Sequence, residues 1–123
     1  MPTRKATIDH AMLLRIARQE VEAAVSDLPA DIRARVKSVP VFLERRPDAA
    51  DVAEGIEADT LGIFDEGAPQ SPTPRIRIWV ENLWDLAEGE VAAFRAEVRT
   101  TLLHEIGHVL GWDEADLDAR GLG

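Results

Sequence analysis

The sequence predicts an α+β domain in which a small mixed sheet of three or four strands packs with two principal helices. Three observations predict it. Residues 7–28 and 88–110 repeat apolar side chains at spacings of three and four, the period of an amphipathic helix. Short stretches at 39–44, 61–65 and 75–80 are rich in the branched and aromatic residues that favour strands. No internal repeat and no linker-like break divides the 123 residues, so a single domain is expected over 1–123.

The elements follow in order. Leu13, Ala17, Val21, Ala24 and Leu28 mark the first helix, with Thr7 as its N-cap and Asp9 in its first turn. Pro29 interrupts it, and Ala30 to Lys37 adds a short helical piece that tolerates a proline at its start. Val39 to Glu44 reads as a strand, and Pro40, which has no N–H to donate, places it at a sheet edge or a strand start. Arg45 to Thr60 is acidic and Ala-rich without a period, and is expected as loop with at most one helical turn. Leu61 to Asp65 is a short strand. Pro69, Pro72 and Pro74 make the next segment a loop. Arg75 to Val80, Arg-Ile-Arg-Ile-Trp-Val, is the clearest strand. In the second long helix, Glu88 to Leu110, one face carries Val91, Phe94, Val98, Leu102, Ile106 and Val109, and Gly111 stands where a helix ends. The acidic segment from Trp112 to Gly123 shows no element of its own.

Composition narrows the function classes. Fourteen Lys and Arg against 23 Asp and Glu leave a formal charge of −9, which repels phosphate backbones and makes nucleic acid and anionic membrane poor partners. No apolar run approaches the roughly 18 residues of a membrane span, and no secretory leader is recognisable, so a cytoplasmic protein is expected. There is no cysteine, which rules out disulfides and thiolate metal sites. Any metal must be held by histidine and carboxylate.

The run His104-Glu105-Ile106-Gly107-His108 carries the chemistry. Residues four apart on a helix project from nearly the same side, so both imidazoles reach one ion. Glu105 lies about 100° around the helix from His104 and reaches water beside that ion without binding it. Such a helix suits one Zn2+ ion and metal-assisted hydrolysis of a peptide bond, with Glu105 as general base. Two histidines are too few, because a catalytic zinc normally takes three protein ligands and water. Acidic residues follow directly: Asp113, Glu114, Asp116 and Asp118. The competing reading is an exposed His/Glu pair on a charged helix face.

From His104 to Glu114 the sequence resembles the HExxHxxGxx(H/D) signature of metzincins. Most of residues 28–117, including Val39 to Glu44, Leu61 to Gly67 and Ile76 to Leu83, is similar to the small bacterial zincin-like metallopeptidases, or minimal zincins. The resemblance implies a truncated zincin-like fold, with a backing helix and an active-site helix packed on the sheet. It implies that Leu61 to Asp65 is an antiparallel edge strand along which a peptide or protein substrate pairs. It also places the third metal ligand at Glu114, with Asp113 one residue earlier as rival. Two departures stand out: no methionine follows the motif, so the metzincin Met-turn is absent, and only 15 residues follow His108. These departures keep two alternatives open: a metal-binding interaction module, or a degenerate metal-free scaffold for protein contacts. The sequence is silent on oligomeric state.

The remaining candidates are weaker. His10 is expected as a solvated side chain, Trp79 as core, and Trp112 as either cleft lining or packing. The proline-rich loop reads as a plain connection. Ser26, Ser38 and Ser71 lack a nucleophile's surroundings.

Overall fold

A computed structural model describes residues 8–120. Its order is α1 (His10–Ser26), α2 (Ala30–Val36), β1 (Val41–Glu44), α3 (Ala49–Ala53), β2 (Gly62–Asp65), β3 (Arg75–Trp79), α4 (Val80–Leu86), α5 (Val91–Val109) and α6 (Glu114–Ala119). The two long helices, α1 and α5, are those read from the periodicity, and they pack against each other. Among the described residues no helix is long and apolar enough to cross a membrane.

The sheet has three strands in the order β1-β3-β2. β1 runs parallel to β3, with Val41 opposite Ile76, and β2 runs antiparallel to it, with Gly62 opposite Ile78. The mixed sheet and the antiparallel edge strand are as expected. Pro40 also falls where its missing N–H is tolerated, just before an edge strand, and its carbonyl accepts the Ile76 N–H at 2.9 Å.

Alternation along β3 sorts its two faces. Ile76 and Ile78 join Leu13, Ile16, Phe94, Val98, Leu102 and Ile106 in the apolar core between sheet, α1 and α5. Arg77 points the other way, its guanidinium 4.9 Å from the Trp79 ring centroid. It pairs with Glu44 at 2.7 and 2.8 Å and with both oxygens of Asp51 in α3 at 2.9 Å. Glu44 and Asp51 thus neutralise a cation that would otherwise be buried alone.

Burial alone would raise the Asp51 pKa. The Asp48 backbone N–H, the Arg77 hydrogen bonds and the Arg77 charge outweigh it and hold the carboxyl below its ordinary value of 3.8. A depressed carboxylate stabilises the fold above its unfolded pKa, and that stability is lost as pH falls toward the folded value. Asp51→Asn should therefore cost about 1–3 kcal/mol at neutral pH. Below about pH 4 the difference from wild type should shrink, since wild type loses the same contribution there. Urea unfolding at several pH values reads both; a pH-independent difference would remove the carboxylate from the account.

Several boundaries differ from the sequence expectations. Asp9 is the N-cap of α1, not a first-turn residue, and its Oδ1 accepts the Met12 N–H at 2.8 Å; Thr7 lies outside the described residues. The acidic segment after β1 does hold one short helix, α3, opened by a reciprocal Asp48/Asp51 cap. α5 begins at Val91 rather than Glu88, because Glu88 and Gly89 adopt left-handed φ values of 55° and 78° and turn the chain out of α4. His10 is half-buried, with Nδ1 3.3 Å from Glu81 Oε2, and is not a solvated side chain.

Candidate metal centre

Phe94, Val98, Leu102 and Ile106 are fully buried on one side of α5, and this fixes the rotation of the helix. The same rotation turns His104 and His108 outward over the last two turns. Their rings meet edge to face, with centroids 4.7 Å apart and planes at 69°. One donor atom each from His104, Glu105 and His108 lies within 4.8 Å of the others. His104 and His108 offer two imidazole donors that zinc accepts, and Glu105 lies close enough to meet a water on the same ion, so these residues fit the metal the motif implies.

Glu105 is buried although it carries an acid. Its Oε1 lies 3.0 Å from His108 Nδ1. With the proton on Nδ1 the ring donates to the carboxylate, and its Nε2 keeps the lone pair a metal requires. Burial pushes the Glu105 pKa up. The charges of His108 and His104, the His108 hydrogen bond and the backbone N–H of Phe64 oppose that rise without cancelling it. A carboxylate with raised proton affinity is a stronger base than an exposed one.

Two glycines bring other elements up against α5. A Cβ at Gly62 would stand 2.8 Å from Thr101 Cγ2 and 3.1 Å from the Arg77 carbonyl oxygen, so β2 approaches the helix this closely only without a side chain there. A Cβ at Gly107 would collide with the Leu117 side chain, which is buried. Leu117 of α6 therefore seats on the turn of α5 that carries the His104/Glu105/His108 cluster. Neither role is readable from the sequence, since both depend on contacts between distant segments.

The two acidic third-ligand candidates stand at the start of α6. Asp113 is its N-cap, and its Oδ1 accepts the Asp116 N–H at 2.9 Å, while Asp116 Oδ2 accepts the Asp113 N–H at 3.1 Å. Glu114 is the first residue of the helix, and its side chain is outside what the structure describes. The Asp-x-x-Asp spacing is the available sequence signal for α6, an acidic version of the capping box. Trp112 is half-buried with the Arg120 guanidinium 3.9 Å from its ring centroid, a stacked packing role.

A family model described as zincin-like metallopeptidase matches residues 18–123. No curated protein matches the chain. A solved structure of a conserved hypothetical protein from Thermus thermophilus is similar in fold, with a TM-score of 0.54 and 24% identity over 87% of this chain and 98% of that one.

Proposed function

Because the chain belongs to the zincin-like metallopeptidase family, we propose that it is a zinc-dependent peptidase in which Glu105 is the general base. One observation carries this reading: two imidazoles and a buried carboxylate converge within 4.8 Å at the end of a helix that packs beside an edge strand. His104 and His108 hold the ion. Glu114 is the third ligand in this proposal, since the register from His104 favours it and Asp113 Oδ1 is already engaged by the Asp116 N–H. Zinc in such a site is a Lewis acid that acidifies water and polarises a carbonyl.

The protein's own groups supply the rest. His108 Nδ1 orients Glu105 through Oε1, leaving the carboxylate to accept a proton from the attacking water and pass it to the leaving nitrogen. β2 pairs with β3 alone, so its outer edge offers backbone groups to an extended peptide or protein substrate. The Phe64 backbone N–H acts on the Glu105 carboxylate, so the base lies close to the strand along which substrate would lie.

Zinc-loaded protein should cleave an unstructured substrate such as casein, with new peptide termini visible by mass spectrometry. A zinc chelator should stop the cleavage and added zinc should restore it. Cleavage that persists in chelator would rule out this chemistry. Retention of one zinc per chain without cleavage would favour the second reading, a metal-binding interaction module.

A further inference from the structure

A hollow of about 230 Å³ opens beside His104, between β2 and α5. Leu61 and Gly62 form one wall, and Glu97, Thr100 and Thr101 form the other. We propose that this hollow is a specificity pocket, and that Glu97 makes it select a substrate residue with a cationic side chain, lysine or arginine, next to the bond that is cut. The proposal rests on the metallopeptidase reading and adds the substrate class to it.

Glu97 lies seven residues before His104 on the same helix, so it stands about 10 Å from it along the axis at 1.5 Å per residue. A residue anchored at the metal centre would need a long side chain to cover that distance. Lysine carries its charge on a flexible four-carbon stem, and arginine is longer still. Of the α5 residues that line the hollow, Glu97 is the one farthest from His104 along the helix, so it stands where the head group of such a side chain would arrive.

Charge makes the choice. Neither lysine nor arginine is among the residues that line the hollow. Arg95 and Arg99, the other long side chains on this part of α5, are turned to α1, where they meet Gln19 at 3.3 Å, Glu20 at 3.2 Å and Asp27 at 3.1 Å. Glu97 is half-buried and has no hydrogen-bond or ion-pair partner among the described residues. Glu105, the second carboxylate in the pocket, is already held by His108. An apolar side chain entering the hollow would strip water from Glu97 and give nothing back. An acidic one would meet like charge. A cation replaces the lost water with a charge-assisted hydrogen bond, and the two threonine hydroxyls can accept further N–H groups.

The test uses binding rather than turnover. Zinc-loaded protein is titrated calorimetrically with acetohydroxamate and with the Nα-acetylated hydroxamates of lysine, norleucine and glutamate. Norleucine matches the lysine stem without its charge. The lysine compound should bind about fivefold tighter than the norleucine one, the scale of a partly exposed ion pair, and the glutamate compound should bind weakest. In Glu97→Gln the lysine and norleucine compounds should converge. Equal binding of those two in wild type would overturn the proposal. So would a lysine preference that survives in Glu97→Gln, because the overall negative charge would then be its source. Acetohydroxamate has no side chain and reports the metal alone. Its binding without a lysine preference would reject only the pocket, whereas its failure to bind would reject the metal centre and the pocket together.

Discussion

Glu105→Gln should lower peptide hydrolysis by on the order of 10²–10⁴ while zinc content stays at the wild-type level. Glutamine has nearly the same shape, and its carbonyl oxygen can still accept from His108 Nδ1, so the imidazole keeps its orientation. What disappears is a group able to take a proton and give it back. The effect should appear in kcat rather than in substrate affinity, because the carboxylate acts on the proton in transit and not on the bound peptide. Initial rates and metal analysis on the same preparation separate the two. A variant that hydrolyses peptides as fast as wild type would end the assignment of Glu105 as base.

His104→Ala should lose the ion itself. Outer-sphere partners of a metal site typically contribute about 10–100-fold to affinity, and a direct ligand should exceed that scale. Competition against a chelating dye measures it, and an unchanged dissociation constant would mean that the ion sits elsewhere. The same assay resolves the third ligand. Glu114→Ala should weaken zinc binding, whereas Asp113→Ala should chiefly remove a helix cap, at a cost of about 1 kcal/mol in stability. Equal zinc affinity in these two variants would reject Glu114.

The metal motif was legible because helical periodicity and ligand spacing are the same physical fact. The period that buries Phe94, Val98, Leu102 and Ile106 also turns His104 and His108 to a common side. β3 was legible from its alternation and β2 from its turn-bounded apolar run. α4 was not, because Trp79 passes directly into it without a side-chain cap, so nothing local marks the change from strand to helix. α6 was obscured by its acidity, since a cap and a solvated surface draw on the same residue types. The ionic cluster of Arg77, Glu44 and Asp51 was beyond the sequence as well. It joins β3 to positions 33 and 26 residues away, and no local pattern encodes such a pairing.

The gap left by the missing side chain at Gly107 has a consequence for metal exchange. Leu117 fills that gap from the outside, and Thr101 meets Gly62 of β2 earlier on the helix, so α5 is wedged between neighbours on either hand. On the zinc reading proposed above, such packing would hold the two imidazoles in place before an ion arrives. In a zinc finger the metal drives folding and its removal unravels the chain. If the proposal holds, chelation should leave this fold standing, and the ion should leave and return without an unfolding step.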